Sequence, residues 1–275
     1  MGTGLSVTKA DGIARIVLNS PPINLFTFDF FLETMQAISD LAVDDEVRVM
    51  LISSANPEFF IAHFDVEAIL KFPTDNPPAT ELNAYHVMCE TLRTMPKATI
   101  AVIEGRVGGG GSELALSCDM RFAVLPHGDH PGAVFNQPEV GLGIIPGGSG
   151  TQRLARLMGR SRALEVVLGC DDFDAVDAER YGWVNRSLPK DELWPFVERL
   201  ARRIASFPAH AIAAGKTSVI RAEKEVTQDL LAEGNAFSAT VGGPGAREAM
   251  EKFLRDGGQT REGELRLATL LDPHL

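Results

Sequence analysis

The sequence predicts an α/β fold, with an α/β core at residues 1–190 and a helical carboxyl-terminal region at 191–275. Three observations point there. Apolar, β-branched runs such as Ile13–Leu18 (IARIVL) and Val47–Ser53 (VRVMLIS) alternate with segments whose apolar residues recur at helical spacing. Strand signals stop after Pro189, where only helical patterns follow. Between them lie two glycine-rich turns, Gly105–Glu113 (GRVGGGGSE) and Gln137–Arg153 (QPEVGLGIIPGGSGTQR), each carrying one glutamate beside bare backbone.

The elements follow in order. Ile13–Leu18 reads as a strand ended by Asn19–Pro22, and Phe28–Leu41 as a helix with Asp29 near its start. Val47–Ser53 is a strand buried on both faces, and Asn56-Pro57 a turn. A short helix over Asp65–Phe72 leads into a proline-rich loop, Pro73–Pro78, and a further helix over Leu82–Met95. Thr99–Glu104 is a strand, and Glu113–Cys118 begins a helix after the glycines, with Glu113 in its first turn. Met120–Leu125 is the next strand, followed by a loop insertion at Pro126–Gly132 (PHGDHPG). Thr151–Met158 and Ser161–Gly169 are helical with Gly159 as the stop. A short helix at Asp177–Tyr181 precedes a strand at Trp183–Leu188. Helices over Leu193–Phe207, Ala209–Ala222, Val226–Val241 and Ala246–Arg255 complete the chain, and no low-complexity segment or close repeat is evident.

Composition narrows the function. The chain has 275 residues and a formal net charge of −11, which argues against nucleic acid as a partner because phosphate binding needs a basic surface. Three scattered cysteines, Cys89, Cys118 and Cys170, form no CxxC pair, so neither a zinc knuckle nor a disulfide framework is expected, and a reducing, cytoplasmic setting is the simplest reading. Met1–Ala10 lacks a signal-peptide pattern, and no apolar stretch reaches membrane-spanning length.

Paired acids near bare backbone amides suit carbonyl chemistry through an enolate, in which the amides hold the oxyanion and the acids move protons. Each acid has a plainer reading: Glu113 as compensation of a helix dipole, Glu139 as a surface carboxylate. Their joint setting carries the case. A dinucleotide turn would need glycine where Glu113 stands, and no Lys-Ser/Thr pair follows as a phosphate loop requires. Ser112 and Ser149 lie outside G-x-S-x-G, because Thr151 closes the pattern around Ser149. His127, Asp129 and His130 are a solvated loop group rather than metal ligands, and no metal site is expected. His63 is either a proton carrier or a hydrogen-bonded structural histidine.

Several segments resemble the crotonase superfamily, the enoyl-CoA hydratase/isomerase family. They are Pro22–Leu25 (PINL), Asp44–Ser53 (DDEVRVMLIS), Phe60–Asp65 (FIAHFD, where the family usually reads FxAGxD), Gly109–Asp119 (GGGSELALSCD) and Phe135–Leu154 (FNQPEVGLGIIPGGSGTQRL). The resemblance implies a spiral core of repeated ββα units, carboxyl-terminal helices that mediate homotrimers often paired into hexamers, and a coenzyme A thioester as substrate, with no separate cofactor. It places two oxyanion-hole N–H groups on Phe64 and Gly110 and the two acids on Glu113 and Glu139. Asn24, Ile61, Ala62, His63, Asp65, Gly109, Pro138 and Gly147 fall in its substrate- and CoA-binding segments. His63 stands where the family commonly has glycine, and Phe64 where it has alanine. The 126–132 insertion lengthens the path between the acids, and Phe253–Arg261 (FLRDGGQTR) is less basic than in many relatives.

The reaction expected first is hydration of the 2,3 double bond of an enoyl-CoA, with Glu139 as acid at the α carbon and Glu113 as partner in water activation. An isomerase needs the oxyanion hole and one acid, and other reactions of the family on acyl-CoA, such as decarboxylation, dehalogenation or thioester hydrolysis, use the same hole with different side chains. A non-catalytic acyl-CoA binder is the alternative from another class. The acyl pocket is expected along Val66–Met95, aromatic-poor apart from Phe72 and Tyr85, which admits a medium or branched chain without selecting one.

Overall fold

The computed structural model describes residues 4–223 and 225–272. In chain order they form β1 (Leu5–Ala10), β2 (Ile13–Leu18), α1 (Phe28–Ala42), β3 (Val49–Ser54), β4 (Phe59–Ile61), α2 (Val66–Ile69), α3 (Ala84–Thr94), β5 (Ala98–Ile103), β6 (Arg106–Gly108), α4 (Gly109–Ser117), β7 (Met120–Val124), β8 (Val134–Asn136), a 3₁₀ turn at Glu139–Leu142, α5 (Gly150–Met158), α6 (Arg160–Gly169), β9 (Phe173–Asp174), α7 (Ala175–Tyr181) and β10 (Arg186–Leu188). Helices α8 (Lys190–Ala205), α9 (Ala209–Ile220), α10 (Thr227–Val241), α11 (Ala246–Arg255), α12 (Arg261–Glu264) and α13 (Leu267–Leu271) follow.

The strands form two sheets. One has the order β1-β2-β3-β5-β7-β10, parallel except for the β1–β2 hairpin. The other has the order β4-β6-β8-β9, with β9 antiparallel. The chain therefore lays one strand in the first sheet, one in the second, and then a helix, and repeats: β3-β4, β5-β6, β7-β8. This is the spiral of ββα units, and it brings the carboxyl ends of successive short strands to one place.

Alternation along the strands sets the layers. Met50, Ile52, Ala101 and Ile103 point into the core between sheets and helices. Val49, Leu51, Ile100 and Val102 point to the opposite face, where α8 covers them with Leu193, Val197, Ala201 and Ala205, one residue per turn. A third cluster joins Val66, Ile69, Leu142 and Ile144 to Val241, Met250 and Phe253, so the carboxyl-terminal helices wall the same region as the second glycine turn.

Several elements differ from the sequence expectation. β1 was not expected: all but its first residue are exposed, so LSVTKA carries no apolar stripe, and it pairs through the Asp11-Gly12 turn, where both residues have positive φ. β4, β6, β8 and β9 have two or three residues each, too short to show a period. The strand expected over Trp183–Leu188 covers only Arg186–Leu188, because Trp183 turns its ring into the core instead. The helix expected from Glu113 begins at Gly109, so the glycines are its first turn and Glu113 lies in the second.

Candidate active site

Helix α4 is buried at every position, so Glu113 is carried into the interior rather than to the surface. Its Oε1 accepts the N–H groups of Gly148 and Gly150, both at 2.8 Å. These amides belong to the second glycine turn and the start of α5. Gly148 is required there: a Cβ would sit 2.5 Å from Glu113 Oε2 and 2.6 Å from the Tyr85 ring.

Glu139 opens the 3₁₀ turn and is also buried, not a surface carboxylate. Gln137 Nε2 donates to its two oxygens at 3.4 and 3.2 Å. Gly109, at φ +45°, lies so close that a Cβ would meet Glu139 Oε1 at 2.8 Å. Burial pushes Glu139 up to about 7, with Gln137 and the His63 charge acting in the opposite direction. Burial and the neighbouring Glu139 and Glu233 carboxylates hold Glu113 well above the usual carboxylate range. The two acids share one cavity and titrate as a pair.

That cavity, about 350 Å³, is lined by both glutamates, His63, Phe64, Gly110, Pro138, Gly147 and Gly148. A Cβ on Gly110 would lie 3.6 Å from the Phe64 amide nitrogen, which shows how closely the two segments approach. Gly110 is in the first turn of α4, where an N–H has no carbonyl one turn back to bond. Among the described residues Phe64 N–H has no acceptor either, whereas its neighbours are paired, His63 C=O with Phe26 N–H and Asp65 N–H with Phe26 C=O. Tyr85 Oη donates to Gly110 C=O at 2.5 Å, a contact that sequence reasoning missed.

Other expected site residues lie outside the cavity lining. Asn24, at φ +50°, is fully buried; its Oδ1 accepts Ser20 N–H, and its Nδ2 donates to Ser54 Oγ, Phe59 C=O and Phe60 C=O. It braces the loop before α1 and has no capacity left for a ligand. Ile61 packs under Gly111, Ala62 C=O lies under Gly108, and Asp65 caps α2 through Glu67 N–H. Ser112 accepts the Trp183 indole N–H, and Ser149 accepts Arg153 Nε–H, so both hydroxyls are structural. In the 126–132 insertion His127 and His130 stack at 4.8 Å, and among the described residues no cluster of three potential metal ligands forms.

The cavity draws on more of the chain than the segment expected to wall the acyl pocket. The cavity takes only Val66, Ile69, Phe72, Asn83, Ala84 and Tyr85 from the 66–95 window, while Phe28, Phe31, Phe64 and Phe237 bring further rings from α1, the loop before α2 and α10. An aromatic-poor wall is thus replaced by an aromatic one, because residues distant in sequence converge.

His63 lines the cavity and is held at both ring nitrogens. Its Nδ1 lies 2.8 Å from Phe64 C=O and its Nε2 3.0 Å from Glu264 Oε1, so both ring nitrogens face acceptors. Burial opposes the charge, but the Glu264 carboxylate, the Phe64 carbonyl and Glu139 together push His63 up to about 9. Glu264 also accepts Gln259 N–H, and Gln259 Oε1 accepts Val66 N–H at 2.6 Å, so the segment before α12 is tied to the Phe64 loop twice. Because the folded chain holds this proton more tightly than free imidazole at 6.5, the stabilisation is complete below about pH 6.5 and is lost as pH rises through about 9. His63→Gln is expected to destabilise the fold by about 3 kcal/mol more at pH 6 than above pH 10. Urea unfolding at the two pH values checks this, and a pH-independent difference would contradict it.

Glu233 of α10 is the second feature the sequence hid. It is buried and accepts from Ser149 N–H, Thr151 N–H and the Thr151 hydroxyl, and its Oε2 lies 3.1 Å from His86 Nε2. It thereby holds the start of α5, the turn whose amides hold Glu113.

The enoyl-CoA hydratase/isomerase family profile matches residues 8–259. The chain belongs to the enoyl-CoA hydratase/isomerase family. It is 31% identical to the crotonyl-CoA hydratase of Syntrophomonas wolfei over 90% of this chain and 93% of that one. Among solved structures it is similar to a Streptomyces avermitilis protein provisionally assigned as an enoyl-CoA hydratase, with 40% identity, TM-score 0.87 and coverage of 98% and 97%. It is also similar to an enoyl-CoA hydratase of Mycobacterium avium subsp. paratuberculosis, with 25% identity, TM-score 0.78 and coverage of 92% and 96%. The family signature at Gly109–Asp119 thus coincides with α4, and that at Phe135–Leu154 with the segment carrying Glu139 and the amides on Glu113.

Proposed function

We propose that the chain is an enoyl-CoA hydratase in which Phe64 N–H and Gly110 N–H hold the thioester oxygen and Glu113 and Glu139 handle the water. The observation that carries this reading is two buried carboxyl groups sharing one cavity with two closely approaching backbone segments whose Phe64 and Gly110 N–H groups have no acceptor among the described residues. When water adds across the conjugated double bond, negative charge develops on the thioester oxygen. A donor aimed at such a charge is worth about 3 kcal/mol. Glu113 has one oxygen fixed by two amides, which leaves the other to accept from the water. Burial raises both acids, so the pair keeps a proton near neutral pH; carried on Glu139 it serves the α carbon, and the ionised Glu113 takes the proton of the water. Oxygen goes to the β carbon and hydrogen to the α carbon. Isomerisation would use one acid; the second buried acid is the part that hydration needs. Coenzyme A belongs to the substrate, and no further cofactor takes part.

Crotonyl-CoA in ¹⁸O-labelled water is expected to yield 3-hydroxybutanoyl-CoA with label at the β carbon. A double bond moved without label would establish isomerisation instead. We further propose a homotrimer, or two paired trimers. Helix α9 buries none of its residues within its own chain and exposes Val219. Sedimentation at monomer mass would overturn this. Among the described residues no helix is long and apolar enough to cross a membrane, and the three cysteines are unpaired, which supports a cytoplasmic setting as part of the proposal.

A further inference from the structure

The carboxyl groups occupy only part of the cavity, and much of the rest is walled by rings. Phe31 stacks on Tyr85 with centroids 5.4 Å apart. Phe64 stands edge-on to both, at 6.2 Å from each. Phe64 then meets Phe72 at 6.3 Å, and Phe72 meets Phe237 at 6.4 Å. The five rings form one connected wall drawn from α1, the Phe64 loop, the segment after α2, α3 and α10. One of them, Phe64, also bears the N–H proposed for the thioester oxygen, which has no acceptor among the described residues, so an acyl group held there lies against this wall from its first carbons.

We propose that the preferred substrate is an enoyl-CoA carrying an apolar aromatic ring on its β carbon. The proposal rests on the hydratase reading and adds the substrate class. Two physical points support it. Aromatic rings gain from edge-to-face and offset contacts with other rings beyond what burial alone gives, roughly two- to tenfold in affinity per well-formed pair. A β-aryl enoyl thioester is also conjugated and flat along its length, so it enters with few torsions to order, whereas a straight chain of equal size must have its torsions fixed.

Two polar side chains on this side have no proton left for a ring substituent, and a third, Asn83, is solvent-exposed. Tyr85 donates its proton to Gly110 C=O, and Ser238 donates its proton to Gly234 C=O. Neither has a proton left to donate to a carbonyl or carboxylate on the acyl group. Val66, Ile69, Leu142 and Ile144 supply the aliphatic remainder of the lining.

The test compares initial rates of the intact wild-type chain with cinnamoyl-CoA, crotonyl-CoA and the straight-chain trans-2-enoyl-CoA of the same carbon number as cinnamoyl. The expected result is a kcat/KM for cinnamoyl-CoA at least about tenfold above the straight chain of equal size, with 3-hydroxy-3-phenylpropanoyl-CoA as product. Phe72→Leu is expected to lower the aryl-to-alkyl ratio several-fold, a ratio that is insensitive to the fraction of folded enzyme. Equal or better turnover of the straight chain, with crotonyl-CoA hydrated normally, overturns the aryl proposal and leaves the hydratase reading standing. An unchanged ratio in Phe72→Leu also overturns it. Failure to hydrate any of the three overturns the hydratase reading, and the substrate class with it.

Discussion

Glu139→Gln is expected to lower kcat for enoyl-CoA hydration by about 10³-fold, in the middle of the range for removing a general acid. The amide keeps the size and planarity of the carboxyl group, so it fits the space under Gly109 and retains a polar contact with Gln137. It carries no exchangeable acidic proton for the α carbon. The proposed oxyanion donors on Phe64 and Gly110 are untouched, so binding of a saturated acyl-CoA should change little. The kinetic signature is a fall in kcat with KM nearly constant, read from loss of the conjugated thioester under saturating substrate. Turnover within a few-fold of wild type would remove Glu139 from the chemistry. The same variant loses a buried carboxyl that favours its neutral form up to about pH 7, so it should also be the more stable protein at pH 8.

Glu233→Ala is expected to have the largest effect on stability, about 3–5 kcal/mol, because each buried donor left without its acceptor costs about 1–3 kcal/mol. The deletion leaves Ser149 N–H, Thr151 N–H and the Thr151 hydroxyl without their acceptor in a buried place, and it strips His86 of its carboxylate. The damage should not stop at stability. Ser149 lies between Gly148 and Gly150, whose amides hold Glu113, so the folded fraction should also turn over substrate more slowly. Denaturant unfolding gives the first quantity, and kcat per folded molecule gives the second. Glu233→Gln, which keeps one acceptor oxygen, should recover part of both. A destabilised variant with wild-type kcat per folded molecule would show that Glu233 supports the fold without orienting Glu113.

The sequence made the proposed catalytic pair legible because glycine-rich backbone beside an acid is a local signal. The four glycines before Glu113, and the Pro138-Glu139 step before a second glycine turn, are contiguous strings that a reader can weigh without any contact map. The longer strands and helices were legible for the same reason, since their periods repeat within one segment. The three-residue strands were not, because the partner strand rather than the segment itself determines whether three residues extend.

The supporting shell of the site was hidden more deeply. Glu233 is separated by 84 residues from Ser149, and Glu264 by 201 from His63. In the chain each looks like any other glutamate on a polar helix, and burial alone turns it into an anchor. The same holds for the acyl wall, where Phe31, Phe64 and Phe237 are unremarkable singly and become an aromatic surface only on convergence. The sequence by itself determined the alternation of strands and helices, the family signatures and the identity of the two acids, all of which are written in runs of neighbouring residues. Only the tertiary structure decided that those acids are buried, that His63 is held between two acceptors, and what surrounds the acyl group, because desolvation and long-range pairing depend on which distant segments the fold brings together.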